Sequence, residues 1–511
     1  MNQLSTAKLT CAPRRHVLAS ALLAAGASAA PALPTSALAA TPGGDAPPLA
    51  QAPRPLVFPP ISVQRLANGL ALIVAQRHGL PLVTARLLVR AGAEADPPLR
   101  PGVASMTSTL WANGALRAGK RVDAATLARQ AEALGGGLDV SSSWGASSVG
   151  MTVATPQLPA ALALMADVMR HPLLAEDELA RARAQALDGL RVTLSSPSEV
   201  ASMALRRSHW GDSPHGRVVT PAAVQRLARA DLQAFQARWV RPDRAALVLV
   251  GDLSPAQALV LAQRLLGDWV APAQAAPPTP MAGPAPISES LVLIDMPGSG
   301  QSGVAVAAPY LSSSPADQAQ RYPGLVAQAV LGGGYSARLN QEVRIKRGLS
   351  YGVSGGPESF ADGGMFSARA QTQHATAAQV LQLLRAEIGR LADAPPDATE
   401  LAARQATLVG GFARQTETTG GLAALLAGQW TQHRPMADLA LQVPRLLAVT
   451  ADQVQAFAQR YWRGQPLRAV VAGDLTAAGP GLGEAEASTT LRLTVAELDL
   501  ARDDLRQVGK R

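Results

Sequence analysis

Arg344 and Tyr351 stand seven residues apart in the run Leu331–Tyr351, LGGGYSARLNQEVRIKRGLSY. An arginine offers a fork of donors and a tyrosine a single hydroxyl, so a pair placed this way could converge on one carbonyl group. The elements around them must bring them together. Gly332, Gly333 and Gly334 mark a backbone that bends sharply or approaches something closely. The segment Ser336–Ile345 is predicted to be a helix with Ser336 as its N-cap, broken at Gly348. On spacing alone the plainer reading is a surface helix ending at Gly348, with its aromatic in the following strand.

The composition limits the function classes. At 511 residues the chain is long enough for two domains. It is 48% apolar and 16% charged, a globular balance. Its formal charge of +9 is dispersed, with no basic block of the kind that tracks phosphates, so no nucleic-acid partner is expected. Arg14 and Arg15, then the apolar run Val17–Ala30 and the small residues of Ala37-Leu38-Ala39, predict an export signal over residues 1–39 and a periplasmic protein. Either the Sec route or a twin-arginine route fits. The apolar run is too short for stable membrane insertion. The one cysteine, Cys11, precedes that run, so the mature chain has no disulfide, thiolate metal site or cysteine nucleophile.

A repeat sets the architecture. LQAFQARWVRPDRAALVLVGDL in the first half matches VQAFAQRYWRGQPLRAVVAGDL in the second, with Phe235 and Phe457, Gly251 and Gly473, Asp252 and Asp474 at one constant separation of 222 (457 − 235). A flexible lead-in (40–56), a first domain (57–270), a Pro/Ala-rich linker (271–286), a second domain (287–476) and a C-terminal tail (477–511) follow from it. Ile61–Val74 reads as a hairpin turning at Asn68-Gly69, Leu82–Val89 as a strand, and Val103–Ala112, Ala124–Leu134, Gln157–Met169 and Glu176–Leu194 as helices. Val140–Ala154 is a polar strand region. Without regular βαβ alternation the fold class is α+β: two homologous mixed domains, each a largely antiparallel sheet with helices packed on one face, facing each other across a cleft.

The run Leu331–Tyr351 resembles the second-half signature of the pitrilysin/insulinase metallopeptidases, the inverted zincins: a glycine-rich turn, SRL-x-x-x-x-R, then GL-x-Y. The likeness extends in order over roughly 57–476, from the NGL hairpin to VLIDMPGSGQS (Val292–Ser302). It implies that Arg344 and Tyr351 contact the substrate backbone and help to stabilise the tetrahedral intermediate. It also implies a first-half helix carrying H-x-x-E-H, two histidines for zinc and a glutamate as general base. The corresponding stretch here is GVASMTSTLWANGA. Ser105 and Thr109 fill the histidine positions and Ser108 the glutamate position. The downstream helix offers only Gln185 and Asp188 where a third ligand belongs. His209 and His215, flanking a Gly-Asp-Ser-Pro turn, are expected in a loop.

No catalytic residue and no metal ligand are therefore expected on this chain. What the resemblance then implies is a non-catalytic subunit of a heterodimer, binding peptide substrate through Arg344 and Tyr351. Zinc would sit in an H-x-x-E-H-bearing partner of the same family. A structural or peptide-binding scaffold is the competing implication.

Overall fold

The computed structural model describes residues 56–507, apart from 276, 277, 279, 280, 480, 485–488 and 503. The expected export signal and most of the lead-in lie outside the described residues.

The first half supplies strands β1 (Ile61–Arg65), β2 (Ala71–Gln76), β3 (Leu82–Val89), β4 (Gly114–Arg117), β5 (Lys120–Asp123), β6 (Asp139–Ser142), β7 (Ser147–Ala154) and β8 (Ala245–Gly251). The second supplies β9 (Leu291–Asp295), β10 (Ser302–Tyr310), β11 (Ser350–Phe360), β12 (Gly363–Thr372), β13 (Arg468–Gly473) and β14 (Thr490–Thr494). Six of the first set form a sheet in the order β1-β2-β8-β3-β7-β6, and β4–β5 is a separate hairpin. The second sheet, β14-β9-β13-β10-β12-β11, repeats that order over five strands, and only its edge strand differs: β1 runs antiparallel to β2, whereas β14 comes from the end of the chain. In each, one central pair is parallel (β2–β8, β9–β13) and the next three pairs are antiparallel. The fold is α+β with two equivalent sheet-bearing halves. The segment 477–511, set apart in the sequence as a tail, contributes the edge strand β14, which runs parallel to β9.

The central strands are apolar at every position, ALIVA in β2 and AALVLVG in β8, and both of their faces are covered. Leu72, Val74, Leu247 and Leu249 turn toward the first half's own helices. Their neighbours Ala71, Ile73, Ala246, Val248 and Val250 pack against Leu422, Ala423, Leu426 and Trp430. Those residues belong to the helix Thr419–Thr431, which comes from the second half. The arrangement is reciprocal. The helix Pro197–Trp210 of the first half lays Val200, Ala201, Ala204 and Leu205 on Val292, Ile294, Ala305, Ala307 and Val470 of the second sheet. The two crossing helices begin at positions 222 apart (419 − 197), the same separation as the repeat. Seating is tight: a Cβ on Gly303 of β10 would lie 2.5 Å from the backbone of Ser198.

Several expected elements take a different form. Val140–Ala154 is two strands, because Ser143–Ala146 folds back as a turn in which Ser143 N donates to Ala146 O at 2.8 Å. Ser336 is not a helix N-cap. The helical turn starts after Ala337 and runs Arg338–Asn340, then widens into a π-helical turn at Gln341–Ile345. Ser336 is instead bonded by Arg404 from the helix Ala398–Glu417, Nη2 to Oγ at 2.8 Å and to the carbonyl at 3.0 Å. His209 and His215 are both buried: His209 lies in the last turn of the crossing helix, and burial pushes its imidazole down to about 4.

Candidate functional site

Helix Val103–Trp111 carries the three hydroxyl positions. Gly102, at φ +99°, enters it without a side-chain cap. Buried Asp96 does that work from outside, accepting from Gly102 N (2.6 Å) and Ala104 N (2.8 Å). Burial lifts the Asp96 carboxyl to about 6, against the pull of these two amides and of Arg217. Val103, Leu110 and Trp111 bury the other side, and Trp111 donates to Gln236 Oε1 at 3.0 Å.

The hydroxyls turn inward on the helix itself. Ser108 Oγ and Thr109 Oγ1 each donate to the Ser105 carbonyl at 2.9 Å. Gln185 and Asp188 on helix Glu176–Ser195 are exposed, and Asp188 is tied to Arg191 at 2.8 Å. Zinc takes thiolate, imidazole or carboxylate ligands, and here it would meet neutral hydroxyls committed to their own backbone. Among the described residues no three His, Cys, Asp or Glu gather where a metal ion could be held. The residues at this position do not fit the metal.

The second-half loop is built differently. Gly334 has φ +134°, and a Cβ on Gly333 would come within 2.5 Å of Ala329 Cα. The triplet thus closes the helix Arg321–Gly332 and leads toward the helical turn Arg338–Asn340 that precedes the π-helical turn. The cations of that turn are paired: Arg338 forks onto Glu400 (2.9 and 2.7 Å), while Lys346 and Arg347 both bond Glu342 at 2.5 Å. Those bonds hold the Glu342 carboxyl below the ordinary range. Arg344 is the exception. Among the described residues it has neither carboxylate nor hydrogen-bond partner. Its guanidinium lies between two rings, 4.6 Å from Tyr335 and 4.8 Å from Tyr351.

Both rings stand in the open, Tyr335 63% and Tyr351 90% exposed. Tyr351 sits where the β11–β12 register shifts, between Ser350 and Val353, and such an irregularity re-aims a side chain. Asn340 pins the strand two residues on, donating to Val353 O (3.1 Å) and accepting from Val353 N (2.9 Å). Beside Tyr351 lies a cavity of ≈ 600 Å³, lined by Ser350, Gly352, Ser354 and the carboxamides of Gln301, Gln371 and Gln373.

The structure brings Arg344 and Tyr351 into one surface cluster. The sequence reading missed Tyr335, although it directly follows the glycine triplet and is one of only five tyrosines in the chain. It also missed Glu342 and Glu400, whose pairing of the other cations leaves Arg344 distinct.

Two family profiles match, one described as Insulinase (Peptidase family M16) over residues 72–221 and one as Peptidase M16 inactive domain over 226–408. The chain belongs to the insulinase (M16) family. Within that family it is a metal-site-deficient member, since its sequence contains no H-x-x-E-H. A relative described as an uncharacterized zinc protease of Streptomyces coelicolor is 24% identical over 416 residues, covering 80% of this chain and 88% of its own. The bovine cytochrome b-c1 complex subunit 1 is 24% identical over 208 residues, 40% of this chain and 42% of that protein. Among solved structures, a peptidase M16 inactive domain from Pseudomonas fluorescens superposes with a TM-score of 0.73 at 25% identity, covering 81% of this chain and 98% of that one. A protease from Helicobacter pylori shares the fold at a TM-score of 0.74, 18% identity, 81% of this chain and all of its own.

Proposed function

We propose that this chain is the non-catalytic, substrate-binding subunit of a periplasmic heterodimeric zinc metallopeptidase. Its partner is a second insulinase-family chain that carries H-x-x-E-H and supplies the zinc and the general base. The observation that carries this reading is Arg344, a cation left without a counter-ion in a turn where every other cation has one. Held between two rings, its guanidinium keeps its donors for an acceptor from outside the chain. Arg344 and the Tyr351 hydroxyl donate to the scissile carbonyl oxygen of a bound peptide, and these bonds strengthen as negative charge develops there. The uncharged groove beside Tyr351 takes the neighbouring stretch of peptide.

The test is reconstitution. This chain purified from a periplasmic extract should bring an H-x-x-E-H chain with it, and mixing the two should create chelator-sensitive peptidase activity that neither shows alone. Peptide hydrolysis by this chain in isolation, stopped by a chelator, would refute the assignment. The likeness to a subunit of a respiratory complex favours a second reading, a structural or peptide-binding scaffold. Under that reading the mixed chains associate and no activity appears.

A further inference from the structure

A cavity of ≈ 650 Å³ opens between the two halves, and none of Ser105, Ser108, Thr109, Arg344 or Tyr351 lines it. Its floor is cationic. Arg90 follows β3 and Arg244 precedes β8, and neither has a salt-bridge partner among the described residues. Arg90 stacks 3.9 Å from the Trp430 ring and donates to the Trp430 carbonyl, while its Nε is buried without an acceptor. Arg244 donates through Nε and Nη2 to the Arg90 carbonyl, at 3.0 and 2.9 Å. Burial, and after it the charge of Arg244, lowers Arg90 to about 10.

Among the described residues no acid nearby makes a salt bridge to this pair, and Asp243, which adjoins Arg244, is forked onto Arg241 at 2.5 and 2.9 Å. Glu94 lines the cavity with no hydrogen bond to its carboxyl; burial lifts it to about 7, while Arg244 and Arg90 pull it down and Asp362 pushes it up. Asp362 is committed elsewhere, to His215 Nε2 (2.6 Å) and Ala282 N (2.6 Å). One wall is aromatic. Trp144 lies 5.2 Å from Phe360, and His215 stacks on Phe360 at 4.0 Å and 12°. Two guanidiniums with no salt-bridge partner among the described residues, facing a single titrating acid beside an aromatic wall in a space of small-ligand size, match one chemistry.

We propose that this cavity binds an organic carboxylate carried on an aromatic body, its charge on Arg90 and Arg244 and its ring against Trp144 and Phe360. The site is independent of the Arg344 cluster. Arg90, Arg244 and Trp144 come from the first half and Phe360 from the second, so the ligand bridges the halves. A free aryl carboxylate and the C-terminal aromatic residue of a peptide share this chemistry.

Calorimetric titration of the full chain with four probes separates them: 3-phenylpropionate, its amide, acetyl-Gly-Gly-Phe and its amide. At least one acid should bind about tenfold or more tighter than its amide, a difference of about 1.4 kcal/mol, and the tighter acid names the source. Arg244→Gln should remove that preference. Because Arg244 also braces the Arg90 carbonyl, Glu94→Gln serves as the variant that leaves the fold intact. At about pH 8, above the Glu94 pKa, it should tighten binding of the acid several-fold by removing a like charge. Equal binding of acids and amides, no binding of either acid, or an acid preference unmoved by both variants overturns the proposal.

Discussion

Helix Val103–Trp111 and the loop 334–351 belong to equivalent halves of one duplicated fold, yet they dispose of their polar groups in opposite ways. In the helix, Ser108 and Thr109 spend their hydroxyls on the Ser105 carbonyl. In the loop, three cations are bound to two carboxylates and the fourth, Arg344, is held out by two exposed rings. A polar group satisfied within the fold supports structure, whereas one braced but left open is available to something else. Presence of a reactive residue type matters less than whether its neighbours have already used it.

The sharpest way to break this contrast is Arg344→Ala. In the reconstituted pair it should lower peptide hydrolysis by about 10²–10³, the usual loss for one oxyanion donor, while the melting temperature of this chain hardly moves. Unchanged activity would return Arg344 to the surface. Asp96→Asn should do the reverse, costing about 1–3 kcal/mol in urea unfolding because the amide keeps one acceptor and turns its own NH2 toward the second buried N–H. Its effect on activity should follow only from the folded fraction.

A pair of glutamates extends the comparison to pH. Glu94, raised from the ordinary 4.5 to about 7, keeps a proton that the unfolded chain has released. Its contribution is full below about 4.5 and is lost as pH rises through 7, so Glu94→Gln should flatten that decline. Glu342 is shifted downward by Lys346 and Arg347, so its contribution is present above the ordinary pKa and fades on acidification. Glu342→Gln should lower stability at neutral pH and leave acid stability unchanged, as read by melting curves across the range. Tyr335→Leu keeps the Arg344 charge but removes one of its two rings. A loss of about 0.5–1 kcal/mol, a few-fold in reconstituted activity, is expected. Smallest of all, Ser105→Ala with Thr109→Ala should stay within about 0.5 kcal/mol in stability and alter no activity. A larger catalytic effect would reopen the helix as a functional element.

Much of this was legible in the sequence because it is local. The Asn68-Gly69 turn, the unbroken apolar runs of β2 and β8, and the boundaries of β3 and of helix Val103–Trp111 follow from adjacent residues alone. The crossing helices did not show. Pro197–Trp210 carries Glu199, Arg206 and Arg207 among its apolar positions, and Gly420, Gly421 and Gly428 argue against a helix at Thr419–Thr431. Each is fixed by the distant sheet it covers, which no short-range pattern encodes. The same holds for the site. Arg344 and Tyr351 were visible through the resemblance of their run to a family signature, not through spacing alone, and what distinguishes Arg344 from its neighbours rests in part on Glu400, a residue 56 positions away (400 − 344).

The exchanged helices carry a consequence for how the two repeats meet. Equivalent elements of two repeats, each covering its counterpart's sheet, make a self-complementary contact of the kind found between identical subunits related by a two-fold axis. Because residues 271–286 join the two repeats, their meeting is governed by tether length and not by concentration. Joined in one chain, the two copies can differ, Arg344 lying against two exposed rings in one and Ser108 and Thr109 closing on their own helix in the other, as two identical subunits could not.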